Sequence, residues 1–421
     1  MASMSNHRRG FLAGAAATFL QGQTRDHVRL GIIGLGGRGK ALLREAAHVK
    51  GARITHLCEI DQSRLEQAQQ LAQKEGAGAT KGTADMRRVF DDREIDAVLI
   101  ATPDHWHAPA AILACQAGKD VYVEKPVSHN LREGRLLVEA ARKYKRIVQA
   151  GMQSRSRPNT MRAIDVVKSG RLGRVLMAKA WNVQRRKNVG HGADAPPPAG
   201  VDYDTWVGPA EMLPYRANRF HYDWHWHWNF GTGDMGNDGA HQLDIARWVL
   251  GATAPRRVTG GAGKYYFDDD QQTPDSMNMT FEFGAQAIIW EMRIWTPYAL
   301  EGTENGVGVY GTDAMMHIGR WGRGWEYRVY DDKGKLAESN AEGGPEAHVQ
   351  NFVDCVLSRQ KPNGEIEEGH LSNSLCHLGN ICARTGRNLA FDARSESIPG
   401  DAEAQALTRR KYRAHWGAPK G

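Results

Sequence analysis

The first 150 residues predict a doubly wound parallel α/β sheet, and the remainder predicts a second α/β domain built on antiparallel strands. Three observations carry this. Apolar runs alternate with helical periods from Val28 to Ala150. A glycine-rich turn, Gly34-Leu35-Gly36-Gly37-Arg38-Gly39, follows the first run and opens the first helical stretch. After residue 150 the runs lengthen and are divided by Gly, Asp and Asn turns. Alternating strand and helix is the pattern of a parallel sheet covered on both faces. Strands bounded only by turns pair antiparallel. A chain of 421 residues also exceeds one ordinary core. The expected division is a terminal segment 1–25, a parallel domain 26–150, a second domain 151–395 and a tail 396–421.

The elements follow in order. Residues 28–33 form the first strand and 53–58 the second. The helix 62–74 comes next, with Asp61 placed as its N-cap. Residues 96–101 are continuously apolar, as a buried parallel strand requires. A helix at 108–117 stops at Gly118, which leaves Thr102 to His107 as a loop. Strand 120–123, helix 131–143 and strand 147–150 complete the first sheet. Beyond it, a helix is expected at 159–169 and strands at 174–183, 256–267, 276–283 and 286–295. Further helices are expected at 241–250, 347–358 and 371–386, with a Pro-rich loop at 190–200. The polar tail after Phe391 is expected to wrap the surface.

The glycine turn fits G-x-G-x-x-G between a strand and a helix, the fingerprint of a dinucleotide-binding (Rossmann) unit. Gly34 permits the tight turn, Gly36 a close approach to pyrophosphate, and Gly39 tight helix–strand packing. Gly37 and Arg38 lie between them, at a helix start whose free N–H groups favour an anion. Glu59, ending the second strand, suits the adenosine ribose diol and would repel a 2′-phosphate, so NAD is favoured over NADP. Thr102, His105 and His107 follow a strand end at the cofactor edge. Each histidine reads equally as a ribose or substrate contact and as packing. Lys125 in Glu124-Lys125-Pro126 also ends a strand there. Partly desolvated beside a positive nicotinamide, it would have a depressed pKa and exchange a proton with a substrate hydroxyl. Glu124 either positions the nicotinamide ribose or pairs with Lys125. Gln153 and Arg155, just past the last strand, read as nicotinamide-side or substrate contacts.

Farther on, His241 lies on a glycine-rich turn opening a helix, where imidazole serves as general base or as a structural cap. Between 220 and 230, Trp224, Trp226 and Trp228 alternate with His225 and His227. Indoles stack on pyranose faces while His bonds hydroxyls, so a carbohydrate cleft is the preferred reading; an aromatic strand in the core is the alternative. His225 and His227 bring no third ligand, and no metal is expected.

Residues 34–39, Thr102-Pro103, His107, Ala117-Gly118-Lys119 and Glu124-Lys125-Pro126 resemble the family of glucose–fructose oxidoreductase, inositol dehydrogenase and rhizopine-catabolism proteins (Gfo/Idh/MocA). Residues 234–244 resemble its second catalytic motif. The resemblance implies a Rossmann domain followed by an α/β domain with a large, mostly antiparallel open sheet, often used to form homo-oligomers, here a dimer or tetramer. It implies NAD as cofactor and Lys125 with His241 as catalytic residues. Relatives that oxidise sugars often carry Asp four positions before this histidine. Here the position is Asn237, so either Asp238 or Asp244 compensates or the chemistry differs. Trp224, His225, Asn237 and Asp238 complete the expected substrate contacts.

Composition narrows the partners. The 41% hydrophobic and 24% charged balance is that of a globular protein. The formal charge of +7 is scattered rather than blocked, which argues against nucleic acid. Five cysteines lack C-x-x-C spacing, and Cys58 and Cys115 read as buried thiols. Arg8-Arg9 before Phe11-Leu12 and a short apolar run resembles a twin-arginine export signal. The run is too short to span a bilayer, so no stable membrane insertion is expected. The expected protein is an exported, periplasmic or extracytoplasmic NAD-dependent oxidoreductase acting on a hydroxyl of a sugar or glycoside, with tightly held cofactor. The alternative is an NAD-dependent glycoside hydrolase working through transient C3 oxidation and elimination. A non-catalytic sugar-binding protein is the third reading.

Overall fold

The structure is a computed structural model describing residues 26–419 except 323, 342–343 and 345–346. The export signal expected within residues 1–25 lies outside the described residues. The first half runs β1 (Val28–Ile33), α1 (Gly37–Ala47), β2 (Ala52–Cys58), α2 (Gln62–Lys74), β3 (Lys81–Thr83), α3 (Met86–Asp91), β4 (Ala97–Ile100), α4 (Asp104–Gln116), β5 (Asp120–Val123), α5 (Leu131–Lys143) and β6 (Val148–Ala150). Among the described residues these strands form a six-stranded parallel sheet ordered β3-β2-β1-β4-β5-β6. Ile33 at the end of β1 pairs with Cys58 on one side and Ile100 on the other. The order reverses between β1 and β4, which opens a crevice beyond the carboxyl ends of the strands. β4 and β5 are buried along their whole length, as both faces carry helices.

One correction matters for the site. The stretch read as a loop, 102–107, is helical from Asp104 onward. Pro109 invites a helix start beside it, but α4 begins five residues earlier, on an aspartate that suits the N-terminal dipole. His105, Trp106 and His107 are therefore held on a rigid first turn.

The second half adds α6 (Pro158–Lys168), β7 (Val175–Asn182), α7 (Tyr203–Val207), α8 (Gly233–Asn237), α9 (Gly239–Leu250), β8 (Arg257–Gly263), β9 (Ser276–Glu282), β10 (Ala287–Arg293), β11 (Asn305–Gly311), β12 (Met315–Trp321), β13 (Gly324–Tyr330), β14 (Leu336–Asn340), α10 (His348–Ser358), α11 (Ile366–Thr385), β15 (Leu389–Ala390) and α12 (Ala402–Ala406). Its sheet is ordered β14-β13-β12-β11-β7-β10-β9-β8-β15 and is antiparallel except where β10 meets β7. The expected fold class is thus the observed one. Strands β11 to β14 escape the sequence reading: glycines interrupt the alternation of β11 and β12, and β14 is short and mostly polar. Gly306 has a physical reason to be there: a Cβ would lie 2.7 Å from the Trp181 ring.

Helix α9 packs on one face of this sheet, with Gly239 against Trp290. Helix α10 returns to the first domain, where Phe352 and Val353 join Leu30, Leu99 and Tyr122 in one apolar cluster. The tail is anchored rather than merely draped. Tyr412 donates to the buried Glu133 at 2.7 Å, and Trp416 packs on Trp106.

Candidate active site

A cavity of about 570 Å³ runs along the carboxyl edge of the parallel sheet and is walled by both halves of the chain. At the glycine turn, Gly34 takes φ +84°, and a Cβ there would sit 2.6 Å from the Ala101 carbonyl oxygen. A Cβ on Gly39 would lie 1.8 Å from the Gly34 carbonyl oxygen. Neither position accepts a side chain. The space beside Gly37 is open, which leaves the first turn of α1 free to receive an anion. Thr102 Oγ1 is buried in the same wall with no hydrogen-bond partner among the described residues. Open helix N–H groups and an orphaned hydroxyl fit a bound dinucleotide.

Glu59 holds this turn in shape. Its carboxylate accepts from the N–H groups of Leu35 at 2.6 Å, Ile60 at 2.9 Å and Asp61 at 3.2 Å. Burial raises its pKa, and the backbone donors and Arg64 only partly offset that. Asp61 caps α2 by accepting from the Arg64 N–H at 3.2 Å.

Glu124 does not pair with the Lys125 side chain. It binds Arg38 across the cleft at 2.6 Å and accepts from Gln153 at 3.0 Å. Burial would raise its pKa, but Arg38 and then Lys125 outweigh burial and bring it down to about 2. The glycine turn and the end of β5 are thereby tied together.

Lys125 turns to the second half of the chain. Its ammonium donates to the Asn237 carbonyl at 2.9 Å and to Asn237 Oδ1 at 2.8 Å. An ammonium has three N–H bonds, so one remains for a ligand. Asn237 donates in turn from Nδ2 to Asp234 Oδ1 at 3.2 Å, which turns its oxygen to the lysine. Asp234 is buried beside Asn182 and is bridged by Arg186 to Asp238. This arrangement explains the asparagine. A carboxylate at 237 would face Asp234 at hydrogen-bond distance, with the nearby arginine already shared by two acids.

His241 lines the same cavity one helical turn away. Burial and then Lys125 lower its pKa to about 4, against the pull of Asp238 and Glu124. At neutral pH it is an uncharged imidazole beside an ammonium, a pair that can accept one proton and stabilise an oxyanion.

Other expected residues separate. His107 reaches the cavity, but its nitrogens lie 2.6 and 2.7 Å from the carbonyls of Pro126 and Thr102. Arg155 is a correction. It is buried in a bidentate pair with Asp244 at 2.8–3.0 Å and touches Glu368, and it does not line the cavity. Asp244 is thereby committed and cannot stand in for the missing acid at 237. The Trp-His run splits. Trp224 and His225 stack at 3.6 Å on the cavity wall, whereas Trp226 is core and His227 bonds Asn218. His225 sends Nδ1 to the Tyr222 carbonyl at 2.5 Å, and burial lowers its pKa to about 3. Among the described residues no three His, Cys, Asp or Glu side chains converge to hold a metal.

The sequence reading missed Arg186, Asp234, Asp104, Arg157, Arg320 and Trp325. Asp104 is buried against Thr232 at 2.7 Å, and burial raises its pKa to about 7. Arg157, Arg320 and Trp325 also line the cavity. Asp234 lies inside the quoted motif and was within reach; the others carry no local pattern.

Comparison with known proteins agrees with this geometry. Residues 28–152 match the family described as "Oxidoreductase family, NAD-binding Rossmann fold", and residues 180–418 match "Oxidoreductase family, C-terminal alpha/beta domain". Inositol 2-dehydrogenase 2 of Saccharopolyspora erythraea is 31% identical over 58% of this chain, a match spanning 61% of that protein. Glycosyl hydrolase family 109 protein 2 of Shewanella sp. ANA-3 is 31% identical over 37% of this chain and 35% of its own. Both matches thus span less than two thirds of the relative. The crystal structure of aldose-aldose oxidoreductase from Caulobacter crescentus with glycerol superposes with TM-score 0.69 at 18% identity, covering 87% of this chain and 100% of that one. Levoglucosan dehydrogenase with NADH and levoglucosan gives 0.67 at 18% identity, covering 86% and 99%. At such identity these two establish the fold alone.

Proposed function

The chain belongs to the Gfo/Idh/MocA oxidoreductase family, with an NAD-binding Rossmann domain, and from that premise we propose that it oxidises a hydroxyl group of a sugar or glycoside. The observation that carries this reading is the meeting of Lys125, Asn237 and His241 at the mouth of the NAD cleft. Bound NAD would supply the hydride acceptor. The chain's own residues handle the proton and the position. Lys125, held at two of its three N–H groups, donates the third to the substrate oxygen. Neutral His241 accepts the hydroxyl proton as the carbinol carbon is oxidised. Trp224 offers a flat apolar face to the sugar ring, with His225 as a hydrogen-bonding neighbour.

A second reading is kept for two reasons: relatives named as family 109 glycosyl hydrolases match, and Asn237 replaces the expected acid. In it, reversible C3 oxidation labilises the glycosidic bond, and no net redox change remains. The twin-arginine pair Arg8-Arg9 supports export, and the partly exposed face of the second sheet, read from the alternation in β9 and β10, supports a homo-oligomer.

The test is native mass spectrometry of the purified protein followed by a glycoside screen. Lasting absorbance at the NADH band with an oxidised sugar is the expected result. Free sugar released without lasting reduction replaces the first reading by the second. Lys125→Met with full turnover on every active substrate overturns both.

A further inference from the structure

The segment between β7 and α8 crosses the mouth of the cleft at the end marked by Glu59. It is bonded to both lips. On the β2–α2 side, Gln62 N–H donates to the Gly200 carbonyl at 3.1 Å and Asp202 N–H to the Ile60 carbonyl at 3.1 Å. His221 Nε2 lies 3.3 Å from Asp61 on the same side. On the α4 side, Trp106 Nε1 donates to the Thr205 carbonyl at 3.0 Å, and His105 Nε2 lies 2.8 Å from the Trp206 carbonyl. Ile60, Met86 and Trp106 from the first domain face Thr205, Trp206 and His221 across one cavity.

The C-terminal tail locks this crossing. Arg413 donates from Nε to the Gly208 carbonyl at 2.6 Å, and from its two terminal nitrogens to the Asp204 carboxylate at 2.7 Å and carbonyl at 2.6 Å. Trp416 sits 5.1 Å from the Trp106 ring, and the Arg87 guanidinium lies over the Trp416 indole, 4.7 Å from its ring centroid. Gly417 is pressed so close that a Cβ would lie 2.2 Å from the Trp106 ring. The tail therefore joins α3, α4 and α7, three of the elements at this end of the cavity.

We propose that residues 200–221 form the outer wall of the adenosine subsite and that the tail, through Arg413 and Trp416, positions that wall so that the dinucleotide is retained through turnover. The proposal rests on the NAD-binding reading and adds which residues hold the cofactor in. A dinucleotide lying under a crossing bonded at both lips leaves only when one lip lets go. Retention through the adenosine half applies equally to ADP-ribose and not to nicotinamide mononucleotide.

The test is stopped-flow displacement of NAD, ADP-ribose and nicotinamide mononucleotide from the full chain, read by tryptophan fluorescence. Arg413→Gln and Trp416→Ala are expected to release NAD and ADP-ribose about tenfold faster or more, the scale of one charge-assisted hydrogen bond. Release of nicotinamide mononucleotide should not change, and Arg394→Ala, in an exposed turn just ahead of the tail, should match wild type. Release from Arg413→Gln within twofold of wild type refutes the proposal. Arg413→Gln decides the matter if Trp416→Ala does not fold. Dissociation needs no turnover, so sugar oxidation with unchanged release sinks the wall alone, whereas a wild-type protein that binds no NAD sinks both readings.

Discussion

Replacing Arg38 with methionine removes the pair that spans the cleft, together with an exposed ion pair to Glu45 at 2.8 Å. Glu124 is only 5% exposed in its side chain, and Arg38 lies 2.6 Å away. Burial pushes the Glu124 pKa up, but Arg38, with Lys125 behind it, outweighs burial and brings the value from 4.5 down to about 2. Only the carboxylate titrates in an accessible range, so its depression sets the size of the effect. At neutral pH that fall corresponds to about 3.4 kcal/mol of stability. Arg38 is about a third exposed, and solvent screening trims this to about 2–3 kcal/mol. Because the folded value is depressed, the contribution is complete above about pH 4.5 and is lost as pH falls toward 2. By pH 3 the linkage relation leaves about 1.4 kcal/mol or less. Urea unfolding of wild type and Arg38→Met, without nicotinamide cofactor so that binding adds nothing, is the assay. The stability gap should be widest at pH 7 and at least halve by pH 3. A gap below 1 kcal/mol at pH 7, or one that stays constant with pH, refutes the reasoning.

Four further outcomes are expected. With His241 at about 4, kcat/KM should hold on the acid side until about pH 4, since the imidazole stays neutral above that value; an acid limb near 6.5 in the pH–rate profile would place the proton acceptor elsewhere. Lys125→Met should bind NAD in calorimetry yet lose turnover by about 10²–10⁴-fold, the usual scale of general acid–base catalysis. Glu59→Gln should narrow the preference for NAD over NADP, measured as the ratio of dissociation constants, because the repelling charge is gone while an acceptor for Leu35 remains. Arg155→Leu should destabilise the fold by about 3–5 kcal/mol in urea, as it strands the buried Asp244, and a rise in substrate KM without that loss would restore Arg155 to the site.

The parallel domain was legible in the sequence because its signals are local. Strand β1, helix α2, strand β5 and helix α5 were read to the residue, since each is a continuous or periodic apolar stretch with a marked end, a cap, a glycine or, for β5, the Glu124-Lys125-Pro126 turn. The glycine turn was legible because Gly39 responds to the Gly34 carbonyl five residues away, although the Ala101 carbonyl that crowds Gly34 comes from a neighbouring strand. Lys125 and His241 were visible for a similar reason: strand ends and helix starts point to one edge in this fold. What they touch was not visible. Lys125 and Asn237 are 112 positions apart, Arg38 and Glu124 are 86 apart, and Arg155 and Asp244 are 89 apart. An ion pair formed over such a separation leaves no period and no spacing in the chain. Position alone therefore placed Arg155 in the site, whereas the folded chain buries it under α9 and α11. The Trp-His run shows the same limit, because its irregular turn sends Trp224 to the cavity and Trp226 to the core. Sequence by itself determined the alternation that builds the parallel sheet, the glycine turn and the arrival of Lys125 and His241 at one edge. Tertiary structure decided the partners of both, the lowered pKa of His241 and the crossing of the β7–α8 segment between the two lips, because those depend on burial and on contacts between distant segments.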